Sequence, residues 1–313
     1  MGKRSRWAWV AAALSAAVTA KGCGLGWAWL LLGGLAAILY YIGMDSRLRP
    51  CGGAMMLKNC GVLGRVTAAL AFAWTVLVLG WSAILADTAF PMVDGFPSLG
   101  WILLALAAVG AWKGPGACAR CAGIVCLFLA ALLGAIAGLS VPDVTFSYLR
   151  PQNTWQEGLW ALGLFLLPAP VFFLPCMKGK KSTLRWLLLP ILAAVLAAVT
   201  AGVLSPELAA QLETPLYTVA QSVSLLGAIE RIEPLLSAAM TMGVFCLLTV
   251  LACACGALGK VLGLGRWAGP AACAAACIAM YPARFLTLPL LTVGNIVFWT
   301  LPLVVKTNVH HNL

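Results

Sequence analysis

Ten apolar stretches follow one another along this chain, at 7–20, 25–43, 61–86, 98–112, 116–139, 159–177, 184–204, 234–259, 267–282 and 285–305, and they carry almost no charge away from their ends. A helix that crosses a bilayer needs about 20 such residues. The stretches lack the strict polar–apolar alternation of an outer-membrane barrel strand, so they read as helices. Composition closes off the soluble alternative: 63% of the 313 residues are hydrophobic and 9% are charged, against roughly half and about a quarter in soluble domains. The expected fold is an all-α polytopic membrane protein of about ten transmembrane helices, a single transmembrane domain over 1–313.

The charges test that division. With the N-terminus in the cytoplasm, all but Lys21, Arg150, Arg231 and Arg284 of the 20 basic residues fall on the cytoplasmic side, and of the nine acids only Asp45 joins them. Basic loops face the cytoplasm, and a helix missed in mid-chain would scramble every later loop. Both termini are therefore expected inside the cell, in a multi-pass protein of the cell membrane. The formal charge of +11 then belongs to loops facing anionic lipid rather than to a nucleic-acid surface. A rival reading of the first stretch takes Lys3, Arg4 and Arg6 followed by Trp7–Ala20 as a signal peptide cut after Ala20, which leaves nine spans and an external N-terminus.

Enzymatic constellations are missing from the sequence. Its two histidines, His310 and His311, sit in the tail, so no Ser–His or His–carboxylate pair is expected inside the apolar region. Lys180-Lys181-Ser182 lacks the glycine spacing of a phosphate-binding loop. Cys118 and Cys121 have metal-like spacing without a second pair or a nearby histidine. The twelve cysteines read as small hydrophobes. No enzyme activity, metal or cofactor is expected.

Two stretches look broken. Pro168 and Pro170 lie in the middle of 159–177, with Pro175 one turn on; each removes an amide donor and collides with the preceding turn. The second break runs from Thr19 to Gly26, where Gly22, Gly24 and Gly26 favour a turn. These breaks open two five-helix halves, about 7–139 and 159–305, and interruptions at corresponding positions mark the central site of inverted-repeat transporters. Outside, the loop 205–233 carries two short helices, one starting at Pro206 and Glu207 and one at Thr214 and Pro215. The second places Leu216, Val219, Val223 and Leu226 on one face.

That loop also carries a resemblance. A Pro-led apolar helix, Glu230-Arg231-Ile232-Glu233, a long helix with Gly243-Val244-Phe245 and a basic loop occur in this order. Trp27-Ala28-Trp29-Leu30, Lys58-Asn59-Cys60-Gly61 and Lys178-Gly179-Lys180-Lys181 precede them. Over roughly 25–305 the chain resembles the spore germination permease family, the B-type subunits of nutrient-germinant receptors. That family belongs to the amino acid–polyamine–organocation transporter superfamily.

The resemblance implies a five-plus-five inverted-repeat, LeuT-like core with helices 1 and 6 broken. It implies a germinant-sensing subunit that binds a small nutrient, an amino acid first among them. It also implies an A-type membrane subunit and a C-type lipoprotein as partners, and the spore inner membrane as location. Projected onto this sequence, the ligand would be lined by Ser15, Thr19, Gly22, Pro168, Ala169, Pro170, Met240 and Thr241. Trp74, seven residues before Trp81 and so on one helix face with it, would supply an apolar wall. Two other readings accompany this one: a secondary transporter of amino acids or amines, and a shortened scaffold subunit that binds no ligand. The short first stretch and the Pro168–Pro170 element motivate the latter.

Overall fold

The computed structural model describes residues 13–15, 22–48, 53–89, 99–149, 155–174, 184–212, 214–222 and 233–311. Among these the chain is helical, with short turns and no strand. The helices are α1 (Trp27–Leu48), α2 (Gly53–Asn59), α3 (Gly61–Ala89), α4 (Leu99–Lys113), α5 (Pro115–Ser140) and α6 (Trp155–Leu166). They continue with α7 (Leu184–Leu204), α8 (Pro206–Gln211), α9 (Pro215–Ser222), α10 (Glu233–Leu262), α11 (Ala268–Ala283) and α12 (Leu288–His311). Every apolar stretch from 25–43 onward is thus occupied by a helix. Of the stretch 7–20, only 13–15 lie among the described residues, and these are helical.

Among the described residues, five helical segments are long and apolar enough to cross a membrane: Trp27–Met44, Gly61–Ala86, Pro115–Asp143, Trp155–Phe173 and Pro234–Leu262. Leu99–Lys113, Leu189–Leu204 and Leu288–Val304 are apolar and shorter. The five differ in how much of each lies inside. In Pro234–Leu262, 72% of the best apolar window is buried, against 39% in Trp27–Met44 and in Pro115–Asp143. α10 is accordingly the central post, packed by α3, α4, α5 and α11. The outer helices present large apolar side chains on the outside, Leu39, Ile124, Leu127 and Ile278 among them.

Local sequence sets the corners. At Gly114 the chain takes φ +89, a left-handed conformation that suits glycine, and its amide donates to the Gly110 and Ala111 carbonyls at 3.2 and 3.1 Å. Pro115 then opens α5 at a position where a missing amide costs nothing, so α4 and α5 are joined by one residue. The start of the loop 205–233 folds as its prolines suggest. Ser205, at φ 73, accepts the Leu208 amide on its side chain at 3.4 Å, and Pro206 starts α8. In α9, Leu216 and Val219 are buried against α7 and α10, so this apolar face is covered by protein. Val223, Leu226, Glu230 and Arg231 lie outside the described residues.

Candidate functional site

The break in the sixth stretch follows from its prolines. Proline at 168 cannot donate to the Leu164 carbonyl, and proline at 170 cannot donate to that of Leu166. α6 ends at Leu166, and the chain tightens into a 3₁₀ turn over Ala169–Phe173. The Leu167 amide bonds the Leu164 carbonyl at 3.3 Å, that of Val171 bonds Pro168 at 3.1 Å, and that of Leu174 bonds Val171 at 3.0 Å. Leu164, Phe165, Leu166, Leu167, Ala169 and Val171 are all buried. Irregular backbone in an apolar setting survives only where protein or a lined cavity receives its polar groups. Here Tyr41 of α1 supplies the partner: its hydroxyl donates to the Phe165 carbonyl at 2.6 Å, and its ring lies 5.3 Å from that of Phe172.

Other contacts hold α1 against the break. A side chain at Gly34 would overlap Pro190 of α7 and meet the Phe165 ring at 3.1 Å. At the start of α1 the Glu157 carboxylate accepts the Gly26 amide at 2.8 Å, a negative charge at the positive end of a helix. The 3₁₀ turn also packs on α10, α2 and α12.

The expected ligand-lining residues are distributed as follows. Ser15 is fully buried against α10 at Gly243, where any side chain would overlap its Cβ. Gly243 lies three residues, close to one turn, beyond buried Met240. Pro168, Ala169 and Pro170 form the break itself and touch the same helix through the turn. Thr241 is partly buried, and its hydroxyl has no hydrogen-bond partner. Gly22 goes elsewhere: the turn Gly22–Gly24 packs on α7, α8 and α9. Beside it, burial pushes the Cys23 thiol up to about 12, against a smaller opposing effect from a Thr200 hydrogen bond. Thr19 lies outside the described residues.

Trp74 does more than line a wall. Its indole Nε1 donates to Asn295 Oδ1 of α12 at 2.9 Å, and its ring stacks on Phe298 at 5.0 Å and 19°. Gly294 lies under the indole, where any Cβ would overlap it. Trp81, its expected companion, is partly buried. Asn295 and Trp299 are 0% and 1% exposed, and neither Asn295 Nδ2 nor Trp299 Nε1 has a partner. A buried donor without an acceptor costs about 1–3 kcal/mol. Sequence reading searched the spans for charge and so passed over Asn295, an uncharged amide. Its signal was a lone carboxamide inside 285–305.

A recess of about 160 Å³ opens between α4, α5 and α10, lined by Gly110, Cys118, Cys121, Phe245, Cys246 and Thr249 among others. Cys118 Sγ lies 3.6 Å from Cys253 Sγ. Among the described residues no group of three or more His, Cys, Asp or Glu is placed to hold a metal.

No protein-family model matches this chain, and no curated protein matches it.

Proposed function

We propose that this chain is the membrane-embedded germinant-sensing subunit of a spore nutrient receptor, a protein built like an amino-acid permease that binds a small nutrient such as an amino acid. In this reading the chain crosses the membrane ten times with both termini in the cytoplasm. Its two five-helix halves form an inverted repeat, and its partners are an A-type membrane subunit and a C-type lipoprotein in the spore inner membrane. The observation that carries the reading is the break at Leu166–Ala169. It is a buried turn that interrupts the α-helix in the middle of a long apolar stretch, held by a hydroxyl from α1 and packed on the central helix α10. Broken helices of this kind turn backbone groups toward a ligand where a continuous helix would satisfy them internally.

The ordered motifs from Trp27 to Lys260 support the family reading, and the break supports a site beside it. A zwitterionic amino acid would set its ammonium toward carbonyls around Leu166–Ala169, with Ser15, Met240 and Thr241 at the facing surface. The same architecture favours a second reading, a secondary transporter of amino acids or amines. Uptake separates the two. Purified protein is reconstituted in liposomes carrying an inward sodium or proton gradient and given radiolabelled amino acids. A sensor binds without accumulating label, and it co-purifies with A- and C-type subunits when expressed with them. Accumulation that collapses with the gradient favours the transporter.

A further inference from the structure

Among the described residues, Asn295 and Trp299 each bury a polar atom without a hydrogen-bond partner. They stand four residues apart on α12, hence one turn apart on the same face. Both are buried, and each ends in a donor with no acceptor. The amide cannot be turned over to relieve this. An indole nitrogen only donates, so the bond from Trp74 Nε1 at 2.9 Å requires Oδ1 at that position, and Nδ2 is left as the free end. Trp74 is itself held by its stack on Phe298 and by the absence of a side chain at Gly294. The geometry of the donor is therefore fixed before anything binds.

The helix that carries the pair, α12, packs on both parts of the broken stretch, α6 and the turn Ala169–Phe173. Thr292 Oγ1 lies 2.8 Å from the Leu288 carbonyl of its own helix and 3.0 Å from the Leu159 carbonyl of α6, and Thr292 lies against Gly163, so the start of α12 runs beside α6.

We propose that Asn295 Nδ2 and Trp299 Nε1 form the acceptor-binding subsite of the nutrient site, holding an oxygen of the ligand, carboxylate or carbonyl, opposite the broken helix. This rests on the nutrient-binding reading above. It adds that the ligand must offer an oxygen acceptor, and that an amine alone does not bind.

The test uses the full chain in detergent, with L-alanine, L-alaninamide and ethylamine as probes; the first two keep an acceptor oxygen and the third has none. Binding is followed by thermal shift and by the indole N–H resonances of ¹⁵N-tryptophan-labelled protein, in which the Trp299 signal is the one absent from W299F. The expected result is that L-alanine binds, ethylamine does not, and the Trp299 resonance moves with L-alanine. W299F, which keeps the aromatic ring, weakens binding about tenfold, the size of one lost hydrogen bond. N295D, which keeps an acceptor for Trp74 and exchanges the donor for a negative charge, weakens it further. L-alaninamide binding as well as L-alanine identifies the carbonyl oxygen as sufficient; its failure identifies the carboxylate.

Two results overturn the inference. Ethylamine binding as tightly as L-alanine removes the need for an acceptor. Wild-type affinity in folded W299F and N295D, with the Trp299 resonance unmoved, removes the subsite while leaving nutrient binding intact. Absence of binding by the wild-type protein to every probe counts against the nutrient reading itself, and so is told apart from failure of the subsite alone.

Discussion

Tyr41 shows how one side chain decides whether an irregular backbone is tolerable. The Phe165 carbonyl sits where α6 runs out, in an apolar interior, and the tyrosine hydroxyl at 2.6 Å is the donor that reaches it. Tyr41→Phe keeps the ring and its contact with Phe172 and leaves the carbonyl unpaired. We expect a loss of about 1–3 kcal/mol in stability, read as a lower melting temperature of the detergent-solubilised protein. Cys23 offers a second check. Burial holds its thiol pKa near 12, above the ordinary 9.0, so the folded protein carries almost no thiolate there at neutral pH. Labelling of Cys23 by iodoacetamide should be negligible in the folded protein at pH 7 and appear on denaturation, since the thiol is both buried and protonated. The linked effect on stability has a definite sign. The unfolded thiol ionises first, so this group's contribution is constant below pH 9 and is lost as pH climbs from 9 towards 12. None of these partners is visible along the sequence: Tyr41 and Phe165 are 124 residues apart, and Trp74 and Asn295 are 221 apart.

At the scale of the element, the proline-interrupted sixth stretch is where sequence and structure agree most closely. Pro168 and Pro170 remove two successive chances to continue an i→i−4 ladder, and α6 stops at Leu166 in consequence. The apolar runs from 25–43 onward were legible for the same reason, since hydropathy and helix ends are local properties. The loop helices were legible from Pro206, Glu207 and Pro215, whereas the burial of Leu216 and Val219 under α7 and α10 was not, because it depends on where distant helices run. Trp74 and Trp81 were legible as one face of α3, but the Asn295 partner that fixes the Trp74 indole belongs to another element. The break makes its own prediction. Replacing both Pro168 and Pro170 by Ala restores two amide donors and permits α6 to run on through 166–170. The variant should melt no lower than wild type, since each proline in a helix interior costs about 3 kcal/mol, and should lose the ligand-induced thermal shift. A variant that still binds ligand with wild-type affinity separates the break from the site.

For the whole molecule, the division of charge along the sequence makes a prediction about sidedness. Ten crossings with a cytoplasmic N-terminus put the turn at Gly114 and the tail after His311 inside, and 141–154 and 205–233 outside. Reporter fusions read this directly. Alkaline phosphatase joined after Pro151 should be active, and joined after Gly114 inactive, while a fluorescent protein joined after Leu313 should fluoresce. A reversed pattern would contradict the assignment of the loops. A tag ahead of Lys3 that stays on the mature chain and is protected in sealed right-side-out vesicles favours ten spans over a cleaved first stretch.

The most direct test of the central claim, that the broken helix serves a nutrient site, is a thermal-stability screen of the purified full chain against the common amino acids, nucleosides and sugars. A compound that binds only the folded protein stabilises it by about 2.7 kcal/mol at a hundredfold excess over its dissociation constant. The account predicts a reproducible rise in melting temperature with one class of small nutrient, amino acids foremost, and its loss in the Pro168→Ala, Pro170→Ala double variant. No shift with any compound in a folded, monodisperse sample would contradict it, and would favour a subunit that supports a membrane complex without binding a ligand of its own.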